Sequence, residues 1–269
     1  MRVIPSLSLL VAGGVATASV ALGSPRDRVP DPEAVVVSGA VAVLVAGQSN
    51  AVGRGEQRAM DAAPEPDVYV VKKDGHVYRG SEPMSTLVPS GTGFGRTLAR
   101  RLIASGYAPQ VWLVNCAQGA TRASAWAGRG PQPKPLHGAV GGWLYMECLL
   151  QAQVVRRLGI PVVGIAWHQG EAGCENAVFA SEQEGHLRTL RERLRKDFGD
   201  VPFVGGELAR SNGCAYRGAV NAATEAVSDA FVASDGLTTR DRVHFDRASQ
   251  RVLGERYADA LLALLLARP

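Results

Sequence analysis

Residue types that mark specialised chemistry are scarce in this chain. Aromatic residues make up 6% of its 269 positions, and only five residues are His and four are Cys. No H-E-x-x-H pair or other clustered His spacing occurs, so a metal centre has no support in the sequence. No G-x-x-x-x-G-K-[ST] loop occurs either, which removes the usual phosphate cradle of a nucleotide-binding protein. Lys clusters are missing, and the formal charge of +4 is spread thinly and comes mainly from Arg. The densest basic run, Arg188 to Lys196, interleaves Arg with Leu and Glu at helical spacing. That is a solvated helix face rather than a nucleic-acid patch. There is no internal repeat or low-complexity segment, and beyond residue 21 no apolar run is long enough to span a membrane.

The long apolar run that does exist comes first. Behind Arg2, the stretch from Val3 to Ala21 carries no charge, and Ala16-Thr17-Ala18 and Ala21-Leu22-Gly23 both offer small-x-small cleavage sites. This layout predicts a secretory signal peptide over residues 1–23, with an uncleaved membrane anchor as the alternative. Residues 24–34, with Pro at 25, 30 and 32, read as a linker, and residues 35–269 as a single domain with ample length for a core. The chain is therefore expected to be secreted or periplasmic, with no stable membrane association once the signal is removed. In that setting Cys116, Cys148, Cys174 and Cys214 could form two disulfides in any of three connectivities. Cys174 and Cys214, in loop-like segments, are the first pair to expect. Cys116 sits in an apolar strand and Cys148 in an apolar helical stretch, where buried thiols are equally reasonable.

Short apolar runs recur with helical segments between them. Val41–Ala46, Val111–Asn115, Val162–Trp167, Pro202–Glu207 and Ala230–Ala233 read as strands. Gly95–Ser105, Gly142–Leu158, Ala177–Phe198, Gly218–Ser228 and Arg247–Ala267 read as helices. The alternation predicts an α/β protein whose parallel sheet is covered on both sides. A small hairpin is expected around Asp74-Gly75, and Trp126 to Gly142 reads as a long loop. In such sheets ligands sit beyond the carboxyl ends of the strands, so the residues just after each strand matter most.

Four of those positions carry chemistry. The first strand runs into Gly47-Gln48-Ser49-Asn50-Ala51, a near match to the G-x-S-x-G nucleophile elbow. The second ends in Asn115-Cys116-Ala117-Gln118-Gly119, where a Gly lets the backbone approach a ligand and aim its N–H. The third ends in Trp167-His168-Gln169-Gly170-Glu171, whose three polar side chains are costly at a buried strand end unless they serve a site or a network. Before the last helix stands Asp241-Arg242-Val243-His244-Phe245-Asp246, in which a carboxylate and an imidazole three residues apart can pair.

With these four blocks in order from Val41 to about Ala267, the chain resembles the SGNH (GDSL-type) hydrolase superfamily. More narrowly, it is similar to the sialate O-acetylesterase and acetylxylan esterase branch, carbohydrate esterase family 6. The resemblance implies a three-layer α/β/α, flavodoxin-like SGNH fold with a five-stranded parallel sheet. It also implies a Ser-His-Asp triad in which Ser49 is the nucleophile, His244 the general base and Asp241 the group that orients it. The Ser49 and Gly119 N–H groups and the Gln169 side-chain amide would form the oxyanion hole, each donor worth about 3–4 kcal/mol in the transition state. Glu171 is a second acid that could orient His244 or serve a structural role. No cofactor or metal is implied, and the expected partner is an acetylated carbohydrate substrate rather than nucleic acid. Trp126, Trp143 and Trp167 could stack on sugar rings or belong to the core. Three other readings stay open: an SGNH esterase or lipase for non-carbohydrate acyl esters, a non-catalytic carbohydrate-binding protein of the same fold, and a metal-dependent hydrolase using His244, Asp241, Asp246 and Glu171.

Overall fold

A computed structural model describes residues 27–87, 89–128 and 144–268. Its elements run β1 (Val41–Gly47), a one-turn α1 (Ser49–Val52), β2 (Glu65–Val71), β3 (Val77–Gly80), α2 (Gly95–Ala104), β4 (Val111–Asn115), a one-turn α3 (Ala123–Trp126), α4 (Leu144–Arg157), β5 (Val162–His168), α5 (Ala177–Phe198), β6 (Phe203–Gly206), α6 (Arg217–Val227), β7 (Ala230–Val232) and α7 (Arg247–Leu266). The predicted signal peptide, Trp143, His137 and most of the long loop lie outside the described residues.

The strands form one sheet in the order β3-β2-β4-β1-β5-β6-β7. All neighbours are parallel except β3, which runs antiparallel to β2. The expected five-stranded parallel sheet is thus corrected to seven strands, mixed at one edge. The five predicted strands are present and, counted among themselves, take the flavodoxin-like order 2-1-3-4-5. The extra two are the hairpin expected around Asp74-Gly75, which does not stand apart but adds to the main sheet through β2 on β4. Val68, Val70 and Val71 are completely buried there, which makes docking worthwhile. Pro66 and Asp67 at the strand's start hid this apolar run within a polar segment.

Alternation along the central strands sorts side chains into two cores. Ala42, Leu44 and Ala46 of β1, with Trp112 and Val114 of β4, pack under α4 and α5. Val41, Val43 and Val45, with Val111 and Leu113, pack under α2 and α7 on the other face. Asn176 caps α5 by accepting from the Val178 and Phe179 N–H groups, and Asp246 caps α7 by accepting from Ser249 N–H.

Both disulfides form, Cys116 to Cys148 and Cys174 to Cys214. The first ties the end of β4 to α4, so the buried-thiol alternative for that pair does not hold. The segment read as a linker is also anchored in its described part. Arg28 bridges to Tyr78, Val29 N–H donates to Val77 O at 2.8 Å, and the Val29 side chain is buried in the core.

Candidate active site

The sheet register brings three chain turns to one level. Gly47 of β1 lies beside His168 of β5, and Val45 lies beside Asn115 of β4. Just beyond, Gln48 N–H donates to His168 O at 2.9 Å and Gln118 N–H donates to Gly47 O at 3.0 Å. Gly47 adopts φ +127°, and a Cβ there would stand 2.0 Å from the His168 carbonyl oxygen, so no larger residue permits this approach. Strands are added on one side of β1 up to β4 and on its other side from β5 onward, and sheets of this order place their ligands at that switch point.

Ser49 opens α1 and lines a cavity of about 430 Å³, a volume suited to a small-molecule ligand. Its Oγ lies 3.0 Å from His244 Nε2, and His244 Nδ1 lies 2.8 Å from Asp241 Oδ2. The other Asp241 oxygen accepts the N–H groups of Val243 (3.2 Å) and His244 (2.8 Å), while Arg242 closes the turn at φ +71°. Burial pushes the Asp241 carboxyl up, but its hydrogen bonds to His244 and Val243 outweigh this and hold it below the usual carboxylate range. An ionised Asp241 can accept a hydrogen bond from Nδ1–H, and in that tautomer the lone pair of Nε2 faces Ser49 Oγ. No acceptor among the described residues takes the Ser49 or Gly119 N–H. The two residues adjoin, for a Cβ built on Gly119 would stand 4.0 Å from Ser49 Cβ.

The residues flanking Ser49 are ties. Gln48 Oε1 accepts from Gly170 N–H (3.3 Å) and Ala172 N–H (3.2 Å), which straps the turn after β5 to β1. Asn50 donates to Glu171 Oε1 (2.6 Å) and Val243 O (3.0 Å), and its own Oδ1 accepts from Phe245 N–H (3.0 Å). Asn50 therefore clasps both backbone neighbours of His244. Glu171 reaches the cavity wall, yet its hydrogen bond goes to Asn50 and not to His244. Burial pushes its carboxyl up. The geometry gives the orienting contact to Asp241.

The model for sialic acid-specific acetylesterases, a family of carbohydrate esterases, matches residues 40–263 of the chain. The chain belongs to this family. It is a carbohydrate acetylesterase, and so a carboxylic ester hydrolase. Among solved structures, a protein from Arabidopsis thaliana superposes with a TM-score of 0.71 at 22% identity, covering 84% of this chain and 98% of that one. A carbohydrate acetylesterase from Xanthomonas citri gives 0.63 at 20% identity, covering 85% of this chain and 57% of that one. NanS gives 0.59 at 17% identity, covering 87% and 100%. At these identities the three show a shared fold. No curated protein sequence matches the chain.

The esterase departs from its expected site at Gln169. That side chain is fully buried, donates to Thr121 O at 2.8 Å, and accepts from Gln183 Nε2 at 2.9 Å. Its amide also faces Gln48 Oε1 at 3.5 Å. The structure does not bring it to the cavity lining, because its polar atoms are spent inside the protein. His168 is likewise a core residue: burial lowers its pKa to about 4, and Nδ1 meets the Tyr257 hydroxyl at 3.1 Å. Trp126 and Trp167 pack edge to face in the core with centroids 5.2 Å apart, which removes them as sugar platforms. Asp246 caps a helix, and among the described residues no group of three or more His, Cys, Asp or Glu side chains is placed to hold a metal. No described helix is long and apolar enough to cross a membrane.

Two cavity residues were missed as functional candidates, although Gln118 stands in a quoted block and Arg54 three residues past another. Arg54 follows Ser49 by five residues and lines the cavity beside Gly119. Gln118 lines it too, with Oε1 accepting from Lys73 Nζ at 2.6 Å. The available signal was position: each lies within a few residues of a strand end that faces the site.

Proposed function

We propose that the esterase removes O-acetyl groups from carbohydrate through a covalent acetyl-enzyme on Ser49, and that it acts outside the cytoplasm. His244 Nε2 takes the Ser49 proton as Oγ attacks the acetyl carbonyl, and Asp241 stabilises the imidazolium that forms. The Ser49 and Gly119 N–H groups meet the developing oxyanion without reorganising. His244 then gives that proton to the departing sugar oxygen, which leaves as a hydroxyl, and a water activated by the same imidazole releases acetate. Gln169 enters this scheme as a positioning residue, holding the turns after β4 and β5 together through Thr121.

The observation that carries the reading is the hydrogen-bonded series Ser49–His244–Asp241, set at the carboxyl end of β1 and open to a cavity. A pure carbohydrate binder has no use for a paired base beside a serine. Export is supported by the apolar stretch from Val3 to Ala21 and by two disulfides, which persist in oxidising surroundings. Acetate release across a panel of acetylated glycans, with Ser49→Ala as control, tests the proposal. Release that vanishes in Ser49→Ala is expected. Cleavage of longer acyl esters with no acetate from any glycan would remove the carbohydrate reading.

A further inference from the structure

Gln118 brings to the cavity a donor that the acetyl chemistry does not use. Its backbone is tied at both ends, the N–H donating to Gly47 O at 3.0 Å and the carbonyl accepting from the Thr121 hydroxyl at 2.8 Å. The side chain is tied as well, because Oε1 accepts from Lys73 Nζ at 2.6 Å. An ammonium only donates, so the amide oxygen must face Lys73 and the NH2 must face away from it. Gln118 is 7% exposed, and among the described residues nothing accepts from its Nε2. A buried wall of the cavity therefore presents an unpaired amide donor held in one orientation.

Lys73 comes from the hairpin that joins the sheet through β2. It stands two residues past β2, in a turn closed by Gly75 N–H to Lys72 O at 2.9 Å and by Lys72 N–H to His76 O at 3.1 Å. Only 14% of its side chain is exposed, and Glu147 of α4 also holds its Nζ, at 3.4 Å. The sheet order sets β4 between β2 and β1, so Lys73 holds the Gln118 side chain on the side of β4 away from Ser49. The acetyl half of the ester has nothing to offer that amide. Its carbonyl oxygen goes to the Ser49 and Gly119 N–H groups in the mechanism above, and its methyl accepts no hydrogen bond. The alcohol half remains, where the next oxygen of a sugar lies on the carbon beside the acetylated one. We infer that Gln118 donates to that neighbouring oxygen, and that Lys73 is the positioning residue that keeps its amide turned toward it. This rests on the acetylated-carbohydrate reading above and adds a selection among alcohols: an ester flanked by an oxygen is preferred to one flanked by CH2.

The test compares trans-2-methoxycyclohexyl acetate with trans-2-ethylcyclohexyl acetate, which has the same shape but CH2 in place of the neighbouring oxygen. Acetate release gives kcat/KM for each, divided by its hydroxide-catalysed rate to remove the inductive effect of the oxygen. One neutral hydrogen bond predicts roughly a 3- to 10-fold preference for the methoxy ester. Gln118→Glu keeps the length of the side chain and its contact with Lys73 but offers only acceptors, so the ratio should fall to one or below. The ratio cancels any general loss from the added charge. Lys73→Met lets the amide turn over and should lower the ratio mainly through a higher KM for the methoxy ester, and Lys73→Arg, which restores a donor, should recover part of it. A role confined to folding would slow both esters alike in every variant and leave the ratio as in wild type, which overturns the inference. Equal wild-type values for the two esters overturn it too, as does failure to cleave the methoxy ester while an aryl acetate is hydrolysed. A preference that follows Gln118 and Lys73 in an enzyme that releases no acetate from any acetylated glycan would support the contact and overturn the carbohydrate reading alone.

Discussion

At the scale of single residues, the sharpest division lies between two acids that both approach His244. Asp241 touches its Nδ1 directly and holds its backbone N–H, while Glu171 touches Asn50, which in turn holds Val243 and Phe245. Asp241→Asn removes the charge that stabilises the imidazolium and can present the wrong partner to Nδ1. It should lower kcat by roughly a thousandfold or more. Glu171→Gln keeps an oxygen for the Asn50 amide and should stay within about tenfold of wild type. Steady-state kinetics on any acetyl ester decides it, and a larger loss for Glu171→Gln would reverse the assignment. That Ser49, Gly119, Asp241 and His244 would be brought together was legible because each sits at a strand end or turn with a chemical signature of its own. Gln169 was misplaced since a sequence cannot say which way an amide points. Arg54 went unremarked because a cation a few residues past a strand end gives no sign of whether it turns to solvent or into the cavity.

Secondary-structure elements were readable where their periodicity was strong. The five helix-linked strands and the five long helices agree with the apolar spacing to within a few residues, save that the predicted start of α4 at Gly142 lies outside the described residues. The hairpin's membership of the main sheet was not readable, because parallel pairing of β2 with β4 is a long-range choice that leaves no local mark. The same holds for the disulfides. Cys174 and Cys214 join the turn that carries Glu171 to the segment after β6, and Cys116 and Cys148 fasten the turn that carries Gly119. They close loops with sequence separations of 40 and 32 residues, and in the chain-entropy view each contributes about 3–4 kcal/mol. Replacing either pair with Ala should therefore lower the unfolding free energy by that order in denaturant titrations. A loss below about 1 kcal/mol would mean that the surrounding core, not the cross-link, fixes these turns.

For the molecule as a whole, two buried ionisable groups tilt stability against pH in opposite directions. Burial lifts the Glu82 carboxyl to about 7 despite the Gly93 N–H that it accepts. Its folded value exceeds its unfolded one, so the stability it contributes is complete below 4.5 and is lost as pH rises through 7. His168 is held down to about 4 from 6.5, so its contribution is complete above 6.5 and is lost as pH falls toward 4. Glu82→Gln removes only the first slope. The variant should gain on wild type by roughly 2–3 kcal/mol between about pH 5 and pH 7.5 in urea titrations, and a pH-independent difference would contradict the burial account. Fold, cavity and catalytic geometry meet in one claim, that Ser49 carries the acetyl group between ester and water. Acid quenching during turnover of an acetylated substrate, followed by peptide mass mapping, tests it directly. The account predicts one added acetyl on the Ser49 peptide and none in Ser49→Ala; turnover that persists in Ser49→Ala, with no acetyl ever found on Ser49, would contradict it.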